Sequence, residues 1–380
     1  MVRFKTIWKA VLLLGIIFSI SAQGQMQNRR GVPYGWKTDT TQRIIPLNEL
    51  QVVLPRGSFP TIDFPAFTGR KEGRKNFYEK EPVIAVAING RAKAYPLNML
   101  TTHEISNDTL SGVPILATYC PLCNASVVYD RRVQHEGREH LLNFEVSGML
   151  RKSDMVMADK KTESWWQQLS GKALVGDFAG AVLDIIPSQV ITVEEFFERY
   201  PEGKILSTNT KQRERYGKNP YSSYDKEGGR PMNSFFDHDN IDNRLPPMQR
   251  VVDVQIGEHY KAYPLPVVEN KKVLHDQFQG ENIVLFYRPS AVSVLDKSVI
   301  RNSRTVGTVT ALYPKVEGET LTFKSEGENF TDEQTGSTWD VTGYCTQGKY
   351  KGTQLRTHFY GVHFAFAWLA FHPETEIYKP

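Results

Sequence analysis

The chain has 380 residues, of which 40% are hydrophobic and 11% aromatic, and its formal net charge is +4. This is enough apolar material for a large core and two domains, and it excludes an intrinsically disordered protein. The positive charge is spread along the sequence without a block of Lys and Arg, so the composition gives no electrostatic reason to expect nucleic acid as a partner.

Residues 1–24 have the pattern of a secretory signal peptide. Basic residues at Arg3, Lys5 and Lys9 precede an apolar run, which ends in small residues around Ala22. The run is shorter than the roughly 20 residues that span a bilayer, which disfavours an uncleaved membrane anchor, and no later segment is long and apolar enough for a transmembrane helix. We therefore expect an extracytoplasmic protein, periplasmic or secreted, in a compartment where disulfides can persist.

The remaining chain repeats itself. The string VIAVAINGRAKAYPLNML recurs as VVDVQIGEHYKAYPLPVV, and two later strings recur in the same order. The matching blocks begin at Val83 and Val251, at Asp159 and Asp332, and at Glu194 and Phe366. The sequence therefore predicts two internally duplicated lobes at 83–206 and 251–378. An N-terminal extension, 25–82, precedes them, and an ordered linker or excursion rich in Gly, Pro, Asn, Asp and Tyr joins them at 207–250.

Each lobe is predicted to contain several short antiparallel strands and to end in one helix. The strand candidates are Val83–Ile88, Ile115–Tyr119, Ser126–Tyr129, Val251–Ile256, Ile283–Tyr287 and Leu321–Phe323. Thr192 and Glu195 form a capping-box pattern at the start of the first helix, and Pro201 ends it. The second helix is placed around Phe364–Phe371. The predicted fold class is therefore α+β and β-rich.

Cys120 and Cys123 form a Cys-Pro-Leu-Cys pair in a chain with one other cysteine, Cys345, to which the sequence assigns no role. Covalent haem attachment is excluded, because Asn124 stands where a histidine would be required. A thioredoxin-type pair normally opens a helix, whereas β-branched residues follow this one, so a redox pair would belong to another fold. A metal site remains open, since two thiolates can hold one ion if other ligands converge. A structural or inert pair remains open as well.

Only Cys345 and the histidines can complete a metal site. His103 lies shortly before the pair, and His363 lies in the second lobe, which meets the pair if the lobes pack about a pseudo-twofold axis. The second-lobe equivalent of the pair is the string RPSA from Arg288, which keeps the proline without the sulfur. This indicates that the thiols serve a function rather than the fold.

A second cluster of polar and aromatic residues lies at 147–171. Asp159 and Thr162 belong to a turn whose sequence is repeated in the second lobe, so they are assigned mainly to structure. Arg151 and Glu163 lack clear counterparts there. These two residues are therefore the better functional candidates of this cluster.

Several strings of the chain, among them TYCPLCNASVVYDRRV, TESWWQQLSG, NPYSSYD and the HEISND that begins at His103, resemble those of the uncharacterised bacterial domain-of-unknown-function family 3179. The resemblance covers nearly all of the chain from about Pro46. It implies a secreted or envelope protein and brings no established activity, substrate or cofactor. It places His103, Cys120 and Cys123 in the family's pattern, but not Cys345.

The leading hypothesis is a protein that binds a soft transition metal, copper or zinc, through Cys120, Cys123 and His103, with His363 as a further candidate ligand. One alternative is a thiol-dependent redox or nucleophilic enzyme, in which His103 acts as base and Arg151 or Glu163 orients a small-molecule substrate. A third hypothesis is a partner-binding scaffold with a structural disulfide.

Overall fold

The computed structural model describes residues 29–30, 35–232 and 234–380, so the predicted leader at 1–24 lies outside the described residues. The described chain is rich in β-strand, has short helices, and is built from several small, mainly antiparallel sheets. This confirms the predicted β-rich class. Within the described ranges, no helix has the length and apolar character needed to cross a membrane.

The α-helices of the described residues are each seven residues long. They are α1 (Arg70–Asn76), α2 (Leu97–His103), α3 (Val193–Arg199), α4 (Leu265–Lys271) and α5 (Ala365–Phe371). Single turns of 3-10 helix lie at Leu47–Glu49, Arg213–Arg215, His238–Asn240 and Ile300–Asn302.

The two predicted helices are α3 and α5. Helix α3 begins with the expected capping box, in which the Glu195 amide donates to the Thr192 hydroxyl and the Glu195 carboxylate accepts from the Thr192 amide. Helices α1, α2 and α4 were not predicted. Helix α1 lies in the predicted N-terminal extension, and α2 and α4 lie inside the predicted lobes. Both α2 and α4 directly follow a proline that ends a strand, and seven residues are too few for a recognisable helical period.

The described residues up to 206 form four sheets. The first contains Arg29–Arg30, Gln51–Val52, Phe144–Arg151, Asp154–Asp159, Trp165–Gln167 and Ala173–Val175; the second Gln189–Thr192, Pro82–Ile88, Arg91–Pro96, Lys204–Leu206 and Phe67–Thr68; the third Ile62–Asp63, Ile105–Leu110, Val113–Cys120 and Ala125–Asp130; and the fourth Arg132–His135 and Arg138–Leu141. Neighbouring strands are antiparallel except Lys204–Leu206 beside Arg91–Pro96 and Ile62–Asp63 beside Ile105–Leu110.

The chain from residue 250 onward forms four more sheets. The first contains Phe359–Phe364, Arg250–Ile256, His259–Pro264 and Glu376–Ile377; the second Val273–Phe278, Glu281–Arg288 and Thr308–Leu312; the third Phe323–Glu326, Asn329–Asp332, Thr338–Trp339 and Cys345–Gln347; and the fourth Lys315–Val316 and Glu319–Thr320. Only Glu376–Ile377 runs parallel to its neighbour, His259–Pro264.

One hydrophobic cluster joins distant parts of the chain. It contains Ile84, Tyr119 and Trp166 together with Tyr224 from 207–250 and Phe364 near the C-terminus, all of them buried. Burial of this apolar surface is the main force that holds these segments together. The loop with the two cysteines lies inside this cluster, so its surroundings come from segments that are far apart in the sequence.

Candidate metal centre

The two cysteines lie at a hairpin end. The strands Val113–Cys120 and Ala125–Asp130 pair antiparallel with Cys120 opposite Ala125, so the four intervening residues form the loop. The loop is closed by a hydrogen bond from the Cys123 amide to the Cys120 carbonyl (3.3 Å). Asn124 has a φ of +51°, a left-handed conformation that asparagine tolerates better than most residues. The loop turns both thiols into the core, where Cys120 is 2% and Cys123 0% exposed.

A second hairpin brings a carboxylate to the thiols. Lys152 and Ser153, both with positive φ (+49° and +68°), form a two-residue turn between the strands Phe144–Arg151 and Asp154–Asp159. The turn places the Ser153 carbonyl oxygen 3.5 Å from Cys123 Sγ. One ligand atom each from Cys120, Cys123 and Asp154 then lie within 4.8 Å of one another. These three residues form the metal-binding candidate group, which we call the Cys2Asp cluster.

Two hydrogen bonds fix one of the two oxygen atoms of the Asp154 carboxylate. Its Oδ2 accepts hydrogen bonds from Gln167 Nε2 (2.6 Å) and from the Leu169 amide (3.0 Å). Among the described residues no nitrogen or oxygen atom donates to its buried Oδ1, and the Cys120 and Cys123 thiols are the remaining hydrogen-bond partners of the carboxyl group. Thiols are weak donors, so a carboxylate held in this way in the core is costly unless a proton or a cation compensates its charge.

Burial controls the protonation of the Cys2Asp cluster. It raises the pKa of Asp154 from 3.8 to about 6, and it raises the pKa of both the Cys120 and the Cys123 thiol. The thiols are therefore not the exposed, low-pKa type that characterises nucleophilic cysteines. A bound cation would reverse this preference, because it stabilises the thiolate and carboxylate forms.

The segment 207–250 covers the Cys2Asp cluster with tyrosines. Tyr224 donates its hydroxyl to the Leu122 carbonyl, inside the cysteine loop (3.0 Å), and Tyr221 contacts the buried carboxyl of Glu104. Burial, followed by the nearby Asp154 carboxylate, raises the pKa of Glu104 to about 8. Glu104 is thus a second buried acid beside the Cys2Asp cluster.

Ion pairs anchor this cover to the chain that follows it. Asp225, next to Tyr224, is 1% exposed and contacts Arg250 (2.7 Å) and Arg304 (2.6 Å). The string NPYSSYD, residues 219–225, therefore supplies both the tyrosines and their anchor.

His103 has other partners than the thiols. It ends α2, and its Nδ1 contacts the Pro60 carbonyl while its Nε2 contacts the Tyr216 hydroxyl (2.8 Å). Both ring nitrogens are therefore occupied, and His103 is not in the candidate group that contains Cys120 and Cys123. In the structure Asp154 takes the position beside the thiols that the sequence analysis gave to His103.

The residue after His363 contacts the cysteine loop, and the His363 ring is held elsewhere. The amide of the next residue, Phe364, donates to the Cys123 carbonyl (3.0 Å). The His363 ring is instead held by Asp253, whose Oδ1 lies 2.5 Å from His363 Nδ1. His363 is likewise outside the Cys2Asp cluster.

Arg151 and Glu163 lie in different surroundings. Arg151 pairs with Glu49 (2.6 Å) and donates to Gln167 Oε1 (3.4 Å), so a single side chain separates it from Asp154. Glu163 follows the opposite end of the strand that begins at Asp154, and it accepts hydrogen bonds from Arg56 and from the Lys37 amide. Glu163 thus fastens the N-terminal extension.

Cys345 belongs to a separate part of the core. It is fully buried in another hydrophobic cluster, and its Sγ donates to the Gln347 carbonyl (3.1 Å). The structure does not bring it to Cys120 and Cys123.

Asp154, Glu104, Tyr221 and Tyr224 were not among the residues selected from the sequence pattern. Glu104 directly follows His103 in the HEISND string, both tyrosines lie in NPYSSYD, and Asp154 lies in SGMLRKSDMVMADKK, so all four belong to strings that carry the family resemblance. In 147–171 the comparison of the two lobes selects Arg151 and Glu163 instead.

A family model described as "Protein of unknown function (DUF3179)" matches residues 56–375. Neither a curated protein nor a solved structure matches the chain.

Proposed function

This chain belongs to the DUF3179 family, and we propose that its function is to hold a transition-metal ion, zinc or copper, through Cys120, Cys123 and Asp154. The observation that carries the proposal is the convergence of two thiols and a carboxylate, all three buried, with one ligand atom of each within 4.8 Å of the others. Without a cation, burial penalises the charged form of each of these groups, whereas a bound metal would stabilise the thiolate and carboxylate forms.

The size and chemistry of the Cys2Asp cluster fit zinc best. With bonds of about 2.0 to 2.3 Å, the ligand atoms of a tetrahedral zinc lie roughly 3.3 to 3.8 Å apart. The three atoms, all within 4.8 Å of one another, can satisfy this with small side-chain movements. Two sulfurs and one oxygen suit borderline-soft zinc, while copper(I) prefers sulfur and nitrogen. Asp154 in place of His103 therefore moves the preference from copper toward zinc.

The surroundings support a holding site rather than a thiol enzyme. The thiols are 2% and 0% exposed, and tyrosines cover their loop. Gln167 fixes the orientation of the Asp154 carboxylate, in the way that partners of metal ligands usually do. No large substrate reaches the sulfur atoms in this conformation.

One observation favours a second function, reversible disulfide formation. A buried carboxylate beside two thiols can accept the proton that a thiol must release before it attacks a small external disulfide. The external disulfide is then reduced to two thiols while Cys120 and Cys123 are oxidised to a disulfide. In that case the cysteine pair, and not a metal, is the functional unit, and Asp154 is its base.

Elemental analysis separates these functions. The protein is purified from its native compartment without chelators, beside Cys120→Ser, Cys123→Ser and Asp154→Asn variants. The Cys345→Ser variant, which removes a buried thiol elsewhere, is the matched control. We expect about one equivalent of zinc or copper in the wild type and in the control, and loss in the three variants. Absence of metal from wild type, with a titratable cysteine pair, would favour the disulfide function.

We propose that the protein works outside the cytoplasm, supported by the leader pattern of 1–24. The expected mature protein starts after Gly24 and is found in the extracytoplasmic fraction. N-terminal sequencing of the purified protein checks this, and an intact Met1 in a cytoplasmic fraction would contradict it.

We also propose that 83–206 and 251–378 are duplicated lobes, with 25–82 as an extension and 207–250 as a connecting excursion. Matching hydrogen bonds support this. Tyr95 donates to Asp108 (2.6 Å) as Tyr263 does to Asp276 (2.9 Å), and the indole of Trp166 donates to Asp159 (3.1 Å) as that of Trp339 does to Asp332 (2.9 Å).

Reciprocal contacts support a pseudo-twofold arrangement of these lobes. The cysteine loop meets the start of α5 through Cys123 and Phe364, and the equivalent second-lobe loop meets α3 through Ser290 and Glu195 (2.7 Å). An experimental structure whose lobes superpose after a rotation near 180° would agree with the proposal, and lobes of different topology would refute it.

A further inference from the structure

A cavity of about 420 Å³ has a lining that includes none of the three residues of the Cys2Asp cluster. One wall is formed by the strand Ala125–Asp130 and by 182–188, and the other by the strands Arg250–Ile256 and Phe359–Phe364. Its volume is in the range of small-molecule sites, about 300 to 1,000 Å³.

An oriented histidine lies in this cavity. His363 is 3% exposed, and its Nδ1 contacts Asp253 Oδ1 at 2.5 Å. The carboxylate fixes the proton on Nδ1 and leaves a lone pair on Nε2. Nε2 is buried and has no hydrogen-bond partner among the described residues. Nε2 of His363 can therefore accept a hydrogen bond, and no described residue donates one to it.

The backbone makes room for this arrangement. Gly361 lies opposite Asp253 in the sheet, and a Cβ at 361 would be 2.2 Å from His363 Cε1. The ring therefore occupies the volume that any other side chain at 361 would need. Trp368 stacks on the other side of the imidazole, with ring centroids 5.2 Å apart.

Exposed apolar side chains are part of the cavity lining. Val182, Ile185 and Phe359 are 54%, 37% and 46% exposed, and all three line the cavity. Exposed apolar patches of this kind often mark ligand-binding sites. The aromatic side chains of Tyr260 and Trp368 also line the cavity, as do the further histidines His358 and His372. A mainly apolar, planar ligand fits these walls.

We propose that this cavity binds a small apolar molecule that carries one acidic hydroxyl, a phenol, and that the hydroxyl donates its hydrogen bond to His363 Nε2. When the bound phenol ionises, its O–H bond breaks, the proton moves to Nε2, and the electron pair stays on the phenolate oxygen. Asp253 then stabilises the imidazolium. This site is independent of the proposed metal centre.

The probe is 4-nitrophenol, because its visible absorbance distinguishes the phenol from the phenolate. Titration of the full-length protein at a pH where free 4-nitrophenol is mostly protonated is expected to show saturable binding and a phenolate band. His363→Phe is expected to weaken binding at least tenfold. Asp253→Asn, which removes the charge that stabilises the imidazolium, is expected to reduce the phenolate band more than the affinity.

His275→Gln changes a histidine outside the cavity and serves as the control that keeps both signals. Thermal unfolding establishes that each variant is folded, and His363→Gln replaces His363→Phe if the latter is not. Absence of saturable binding in the wild type would overturn the proposal. So would binding and a phenolate band that persist in a folded His363 variant.

Discussion

Asp154→Asn is expected to have opposite effects on the metal-free and the metal-bound protein. In the metal-free fold, burial raises the pKa of Asp154 from 3.8 to about 6. A shift of about 2 units corresponds to about 3 kcal/mol at 1.36 kcal/mol per unit. Because the folded pKa is the higher one, the contribution of Asp154 to stability is intact below about pH 4 and is lost as the pH rises through 6.

Asparagine avoids this loss, since its side-chain oxygen still accepts from Gln167 and Leu169 and it carries no charge. In the presence of chelator, the variant is therefore expected to be more stable than wild type by up to about 3 kcal/mol at pH 7.5 and to match it near pH 4. With metal, the free energy of unfolding of wild type should rise by about 4 kcal/mol at a free metal concentration a thousandfold above Kd. The variant, which lacks one ligand, should gain much less.

Urea denaturation at several pH values, with chelator and with zinc, measures both effects. Asp332→Asn serves as the control, because Asp332 is buried but accepts hydrogen bonds from Thr335 and Trp339. This control is expected to lose stability at every pH. The reasoning would be refuted by an Asp154→Asn variant that is less stable than wild type without metal, or that binds zinc with unchanged affinity.

Three further predictions concern stability. Burial raises the pKa of Glu81 from 4.5 to about 7, so the free energy of unfolding of wild type should fall by about 3 kcal/mol as the pH rises through this range. Denaturation of Glu81→Gln at several pH values should no longer show that fall. A variant with the same pH profile as wild type would contradict this prediction. Tyr224→Phe deletes the hydrogen bond to Leu122 and should cost about 1 kcal/mol, measured in urea beside wild type; no cost would show that the bond contributes nothing. Asp159→Ala and Asp332→Ala should each cost about 2 to 3 kcal/mol in the same assay, because each strands a buried indole N–H; a large difference between them would argue against equivalent turns.

Local features of the fold were predictable from the sequence. The capping box of Thr192 and Glu195 and the turn that begins at Asp159 depend on residues within a few positions of one another. Such contacts form wherever the local sequence permits them. The hairpin that carries the cysteines follows from two β-type runs on either side of a proline-containing loop.

The composition of the candidate site was harder to predict because it depends on contacts between distant segments. Asp154 reaches the thiols only through the turn at Lys152 and Ser153, where two non-glycine residues have positive φ. His103 is closer to the cysteines in sequence, but Pro60 and Tyr216 hold its ring. Sequence separation alone does not indicate such partners.

X-ray absorption spectroscopy of the zinc-loaded protein tests the central proposal most directly, since it reports the atoms bound to the metal. The proposed centre predicts two sulfur ligands at about 2.3 Å, from Cys120 and Cys123, and oxygen at about 2.0 to 2.2 Å, from Asp154. When the Asp154→Asn variant is loaded with excess zinc, which its weaker affinity requires, its oxygen shell should differ from that of wild type and its sulfur shell should remain. A spectrum with only nitrogen and oxygen ligands would contradict the proposed metal centre.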